Sequence, residues 1–194
     1  MDKNASVLRV WIITISVLFL LTGCQREKTS ESDSNTPSQK VEHFSWKQFS
    51  PQLQVELSGE SAELTPDQKV ATLSQPALSL KTQDSVIEIR TGKEGSAEIK
   101  INPGLQQMEA AVLQGNIHIV QKDISGKKVL LEATCQKLTY QDGTKLLIME
   151  GNPVVTREKN TFSGERIFYY WTENRIEIKG NVKVLVYPEK NQTP

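Results

Sequence analysis

The stretch that decides the fold of this chain is LLIMEGNPVVTREKNTFSGERIFYYWTENRIEIKGNVKVLV, residues 146–186. Apolar residues alternate with polar ones at Ile176 and Ile178, and again at Val182 and Val184. A period of two places each pair on one face of a pleated strand, whereas a helix would show a period near 3.6. The stretch therefore predicts short antiparallel strands joined by polar turns.

The same unit occurs four times along the chain. Each copy begins at a small residue, alternates apolar and polar positions, passes a polar turn and continues into a second strand. The copies span residues 59–80, 95–120, 133–155 and 164–186. The pairs that stand directly before the second strand are Gly115-Asn116, Gly151-Asn152 and Gly180-Asn181, with Gln75-Pro76 in the first copy. Glycine at this point permits a positive φ, a bulge or a tight bend.

Turn residues separate these strands at the spacing of an all-β fold. They are Pro66-Asp67, Asn102-Pro103-Gly104, Asp142-Gly143 and Glu173-Asn174. Residues 105–113 are predicted to form a turn followed by a strand. A stack of antiparallel strand pairs buries one shared core and leaves an edge strand at each end. The unpaired N–H and C=O groups of such edges can pair with another chain.

The N-terminus has the features of an export signal. Lys3 and Arg9 are followed by an apolar run of twelve residues, 10–21, whereas a spanning helix needs roughly 20. The run ends in Leu21-Thr22-Gly23-Cys24, which resembles the lipobox of bacterial lipoproteins. The resemblance implies that residues 1–23 are a lipoprotein signal peptide and that Cys24 carries the lipid. The alternative is an uncleaved anchor with an incidental cysteine.

Residues 24–43 are predicted to be a flexible tether, and residues 44–190 one folded domain. The segment QREKTSESDSNTPSQ, residues 25–39, has no aliphatic or aromatic side chain and cannot offset the entropy lost on ordering. The lipid would then hold the domain at the periplasmic face of a membrane. Gln25 after the cysteine implies the outer membrane under the enterobacterial sorting pattern, and the choice between inner and outer membrane stays open.

Composition and motifs argue against several functions. Lys and Arg total 23 and Asp and Glu total 23, so no basic footprint for nucleic acid exists. His43 is predicted to lie in a solvated loop, His118 to point outward from a strand, and Cys135 to be a buried, inert thiol. We expect no enzyme activity, no metal site and no cofactor.

At residues 146–186 the order and spacing of the strands resemble the OstA-like repeat of the lipopolysaccharide-transport periplasmic proteins, the LptC/LptA family. The resemblance implies an open β-jellyroll whose apolar groove holds the acyl chains of lipopolysaccharide and passes them between the transporter and the periplasmic bridge. It also implies edge-strand pairing with other β-jellyroll proteins of the bridge, and the permeases of an inner-membrane ABC transporter as further partners. The predicted groove residues are Leu78, Leu80, Ile117, Ile119, Ile148, Val154, Ile167, Tyr169, Ile176, Ile178, Val182 and Val184.

Two questions stay open at the level of sequence. The same apolar positions would also build a closed, dry core, and the chain would then be a membrane-anchored interaction lipoprotein that binds a protein partner through its strand edges. The aromatic run Phe168-Tyr169-Tyr170-Trp171 could stack on a sugar, or it could cover the core and a strand edge.

Overall fold

The computed structural model describes residues 39–187, which form fourteen β-strands and, within that range, no helix. The strands are β1 (Gln39–Phe49), β2 (Gln54–Leu64), β3 (Val70–Ser74), β4 (Ala77–Lys81), β5 (Ser85–Arg90), β6 (Ser96–Asn102), β7 (Gln107–Asp123), β8 (Val129–Gln141), β9 (Leu146–Glu150), β10 (Val154–Arg157), β11 (Asn160–Ser163), β12 (Arg166–Tyr170), β13 (Arg175–Lys179) and β14 (Lys183–Leu185). In this part of the chain no helix is long and apolar enough to cross a membrane. The predicted signal peptide, Cys24 and residues 24–38 of the predicted tether lie outside the described residues.

All fourteen strands belong to one antiparallel sheet with two halves. Half A has the order β1-β2-β3-β6-β7-β8-β9-β12-β13, and half B has the order β1-β2-β4-β5-β7-β8-β10-β11-β14. Four long strands, β1, β2, β7 and β8, run through both halves. In β7, for example, residues 107–114 pair with β6 and residues 118–123 pair with β5. The result is the predicted all-β jellyroll.

The two halves meet along a row of bends that we call the crease. It contains Gln75, Gly115-Asn116, Gly151-Asn152 and Gly180-Asn181, all with positive φ. The backbone N–H of Gln75 donates to the Gly95 carbonyl at 2.8 Å, and the register of β7 on β8 shifts between Gln114 and Ile117. The predicted bend before each second strand is therefore confirmed, and its structural role is to carry the chain from half A into half B.

Each predicted repeat corresponds to one structural unit. A hairpin in half A comes first, then the crease, then a strand in half B. In the third copy these are β8 and β9, then Gly151-Asn152, then β10. The four predicted turns lie between β2 and β3, β6 and β7, β8 and β9, and β12 and β13, and residues 103–106 turn before β7 as predicted.

The core lies between the inner faces of the two halves. In β5, and in β7 on each side of the Gly115-Asn116 bend, buried residues alternate with more exposed ones, as expected for strands with one face on a core. Leu80, Ile89, Leu113, Ile119 and Tyr140 are completely buried there. Burying one such side chain contributes roughly 1.5–3 kcal/mol, so this interior is the main source of stability.

The first strand begins earlier than the sequence indicates. β1 starts at Gln39 and pairs with β2 along its whole length, from Gln39 opposite Leu64 to Phe49 opposite Gln54. His43, predicted to lie in a loop, is exposed but sits within β1 at φ 54°. Polar residues 39–43 become ordered because β2 supplies backbone hydrogen-bond partners, a tertiary effect that composition does not reveal.

Candidate functional site

Most of the predicted groove residues line the interior between the two halves. Leu78, Leu80, Ile117, Ile119, Ile167 and Tyr169 are at most 1% exposed. Ile176 and Ile178 are partly buried and pack against the same core. These eight side chains therefore form one continuous apolar interior, in which the first six are closed to solvent and Ile176 and Ile178 are partly accessible.

Two predicted groove residues face the other way. Ile148 pairs with Phe168 on the outer face of half A, while its neighbours Leu147 and Met149 are completely buried. Val154 is 36% exposed and its neighbour Val155 is completely buried. Both predictions are wrong for the same reason. Where apolar residues are consecutive, the period of two fits either face, and only the register with neighbouring strands selects one.

The interior opens toward the C-terminal end of the sheet. Val184 pairs with Phe162, which in turn pairs with the buried Val155, so Val184 belongs to the inner face. It is nevertheless 51% exposed, and Val182 is 53% exposed. β14 has a partner only on its β11 side among the described residues, so apolar inner-face surface is accessible at this edge.

The side of the interior opposite the crease, which we call the mouth, is held together by side chains. The Tyr169 hydroxyl of half A donates to Gln121 Oε1 of half B at 2.5 Å, and Gln121 Nε2 donates to Ser85 Oγ at 3.1 Å. Farther along, the backbone N–H of Met108 donates to Gln48 Oε1 at 3.2 Å. The halves thus share backbone at the crease but are joined by side-chain hydrogen bonds at the mouth.

The network around Tyr169 is buried. Tyr169 is completely buried, Gln121 is 5% exposed and Ser85 is 8% exposed. Burial raises the pKa of the Tyr169 hydroxyl, so the group is a neutral donor at physiological pH. Most buried polar groups in proteins are hydrogen-bonded, and here the partners of Gln121 include Tyr169 from the opposite half.

A cavity of about 430 Å³ lies at the mouth next to this network. Its walls come from the turns of half B at Gln52 and at residues 82–85, and from the turn of half A at Trp171, Thr172 and Asn174. Gln121 forms part of the wall. The cavity therefore stands where the two halves approach each other above the apolar interior.

The described residues offer little for catalysis. Burial raises the pKa of the Cys135 thiol to about 12, so the thiol stays protonated and is a poor nucleophile. His118 lies on the surface, and its Nε2 is 3.7 Å from Glu132 Oε1. Within residues 39–187, no three His, Cys, Asp or Glu side chains are grouped as a metal site would require.

Several residues of this site were not predicted from the sequence. Ile87 and Ile89 alternate in SVIEIR and are buried in the interior, so their period of two could have identified them. Ser85 and Gln121 continue the same period of two, Ser85 before Ile87 and Gln121 after Ile119. Their polar side chains gave no sign of burial, because the hydrogen bond between them joins strands that are far apart in sequence. Trp171 was singled out only as part of an aromatic run.

Comparison with known proteins gives matches to a family model and to solved structures, among them the following. The family model described as "Lipopolysaccharide-assembly, LptC-related" matches residues 7–187. The crystal structure of LptH from Pseudomonas aeruginosa, described as the LptA homologous periplasmic component of the conserved lipopolysaccharide transport device, matches with a TM-score of 0.54 at 18% identity. That match covers 69% of this chain and 95% of LptH. No curated protein matches the chain.

Proposed function

Because the chain belongs to the LptC-related family of lipopolysaccharide-assembly proteins, we propose that its interior holds the acyl chains of lipopolysaccharide and passes them from the transporter to the periplasmic bridge. Proteins of this family are non-enzymatic components of the bridge. The chain is accordingly a periplasmic component of lipopolysaccharide transport. The proposal that the interior holds and passes acyl chains rests on the continuous apolar interior between the two halves.

The energetics of acyl-chain transfer agree with this interior. An acyl chain crossing an aqueous compartment needs a surface that replaces the membrane. Burying ten methylene groups contributes roughly 8 kcal/mol, at about 0.8 kcal/mol each. Apolar inner faces can supply this without any covalent step, so movement along the interior requires no catalytic group.

Entry of an acyl chain requires the interior to open. The mouth is the side that opens in this proposal, because its side-chain hydrogen bonds can exchange partners with water, whereas the crease is continuous backbone. The Tyr169–Gln121 hydrogen bond then acts as the closure. Hinge motion of this kind concentrates its dihedral changes in a few residues, and the positive-φ pairs of the crease are such residues.

The sheet edges offer contacts to other bridge proteins. β1 forms one end of the stack, and β13 and β14 form the other. An unpaired edge adds a strand from a partner through main-chain hydrogen bonds. A photo-cross-linker at Leu185, which is 54% exposed, should capture a β-jellyroll partner; capture from the equally exposed Val129 alone would contradict this contact.

Lipid on Cys24 is the proposed means of membrane attachment. It would hold the domain close to a bilayer from which lipopolysaccharide is received or to which it is delivered. Metabolic labelling with a fatty acid should mark the natural chain and not the Cys24→Ser variant. Membrane fractionation of the labelled protein would then distinguish the inner from the outer membrane.

The buried state of most interior side chains favours a second function, that of an interaction protein with a dry core. Side chains such as Leu80 and Ile119 are completely buried, as they would be in an interaction protein with a dry core. Such a protein would bind its partner through its edges and hold no lipid.

Co-purification with lipopolysaccharide distinguishes the two functions. The full chain should retain lipopolysaccharide, and Ile178→Glu, which places a charge on the inner face, should lose it. Val154→Glu is the matched control, because Val154 is exposed on the outer face and should tolerate the charge. A chain that folds but never retains lipopolysaccharide would support the interaction protein instead.

A further inference from the structure

The cavity at the mouth has the size of a small-ligand site and polar walls. Its volume of about 430 Å³ falls within the range of roughly 300–1,000 Å³ typical of ligand pockets. Amide and hydroxyl side chains dominate its lining, among them Gln83, Ser85, Gln121 and Asn174. The lining thus offers many hydrogen-bond donors and acceptors on a side of the molecule that leads directly into an apolar interior.

Apart from the size and polarity of the cavity, the side chain of Trp171 also indicates a ligand. It lines the cavity and is only 5% exposed. Its Nε1–H is the one buried side-chain polar atom in residues 39–187 without a hydrogen-bond partner. A buried tryptophan N–H normally finds an acceptor. Nε1 has less than 1 Å² of accessible surface, so a ligand oxygen can reach this unpaired donor only when the mouth opens.

The charge of the lining selects the chemical class of that ligand. Asp84 is the only charged residue among the side chains that line the cavity. A carboxylate without a neighbouring cation in the wall disfavours a phosphate or a carboxylate ligand. Ligand hydroxyls are favoured, because they can donate to Asp84 and both donate to and accept from amides and hydroxyls.

We propose that the mouth cavity binds an uncharged, hydroxyl-bearing sugar ring of the glycolipid whose acyl chains occupy the interior, with Trp171 Nε1 donating to a sugar oxygen. This inference rests on the proposed function, since acyl chains in the interior leave their headgroup at the mouth. The cavity then supplies specificity for a glycolipid over a phospholipid with similar chains.

Equilibrium binding by the full chain in detergent tests the assignment. Purified lipopolysaccharide and a phosphatidylethanolamine would be titrated into the natural chain and into Trp171→Phe, which keeps the aromatic ring and removes the N–H. Loss of one hydrogen bond should weaken lipopolysaccharide binding roughly threefold to tenfold and leave phospholipid binding unchanged. Trp46→Phe is the matched control, since Trp46 lies in β1, packs against the interior and is not part of the cavity wall; any effect of this substitution should be the same for both lipids.

Four results would count against the proposal, and they can be told apart. Unchanged lipopolysaccharide affinity in Trp171→Phe would remove the sugar site and leave the proposed function standing. Equal losses for both lipids would show that Trp171 acts through the fold alone. Failure of the natural chain to bind lipopolysaccharide at all would overturn the proposed function together with the site. Tighter binding of the deacylated sugar than of the whole lipid would contradict the assignment to a lipid-linked sugar.

Discussion

At the scale of single residues, the Gly-Asn pairs of the crease show how directly a local pattern can specify backbone geometry. Gly151 has φ 75° and Asn152 has φ 57°. Glycine carries no steric cost at positive φ, and asparagine tolerates it better than most residues. The function of the bend, which is to lead the chain into the other half of the sheet, became visible only in the structure.

We expect Gly151→Ala to destabilise the fold by roughly 1–3 kcal/mol. A Cβ at this position would lie 2.6 Å from Gln136 Cβ, in addition to the unfavourable φ. Gly126→Ala is the control, because Gly126 has φ 72° but nothing within 4 Å of the added Cβ. Chemical denaturation should show the larger loss for Gly151→Ala. Equal losses would mean that close packing at the crease contributes nothing.

Because the Cys135 thiol is buried, we expect the protein to lose stability at alkaline pH. Burial raises its pKa from an ordinary value of 9.0 to about 12. Between these values the folded chain binds more protons than the unfolded chain, so the free energy of unfolding falls as the pH rises, by up to about 1.4 kcal/mol per pH unit. Denaturation from pH 8 to pH 11 should show a shallower decline in Cys135→Ala. Parallel curves would contradict the buried, protonated thiol.

The face of β9 on which Ile148 lies could not be predicted from the local sequence. The run LLIME offers two faces of equal apolarity, and the structure buries Leu147 and Met149 instead of Ile148. The choice follows from pairing with Tyr169 and Ile167 of β12. Cross-strand register of this kind depends on residues far along the chain.

At the scale of strands, the four repeats predicted the hairpins and their turns because each hairpin is encoded locally. The division of β7 and β8 between two halves was not predicted. A continuous strand gives no local indication that its two ends pair with different neighbours, apart from the bend at Gly115-Asn116. The contacts that close the mouth were missed for the same reason, since Tyr169 lies in the fourth repeat and Gln121 lies outside all four.

Because the Tyr169 hydroxyl closes the mouth and the Tyr140 hydroxyl does not, we expect removal of the two hydroxyls to affect lipid exchange differently. Tyr169→Phe leaves Gln121 Oε1 buried without its donor, which should cost about 1–3 kcal/mol of stability, and it should speed the exchange of bound lipopolysaccharide. Tyr140→Phe is the matched control. Its hydroxyl is also completely buried within the fold but donates to Asp142 inside half A at 2.6 Å.

Lipid exchange measured by fluorescence, with both variants below their unfolding temperatures, separates closure from stability. Faster exchange in Tyr169→Phe alone is the expected outcome. Equal acceleration in Tyr140→Phe would assign the effect to general loosening of the sheet.

At the scale of the whole molecule, a single sheet bent along a crease explains how a chain of modest size can combine three tasks. Its inner faces form an apolar interior, its mouth presents polar groups, and its edge strands have a free side among the described residues that can pair with another chain. The fold class and most of the positions predicted to face the interior followed from the sequence, because both depend on period-two apolarity. Whether the interior is closed or open depends on contacts at the mouth, which no periodic pattern encodes.

The most direct test of the central claim is photo-cross-linking from the two faces of half A. Ile176 lies on the inner face and Ile148 on the outer face, and both are partly buried, so a cross-linking residue at either position has similar access to solvent. If acyl chains bind between the two halves, lipopolysaccharide in cells exporting it should be captured from position 176 and not from position 148. Capture from position 148 alone, or equal capture from both positions, would contradict an acyl-chain site between the two halves.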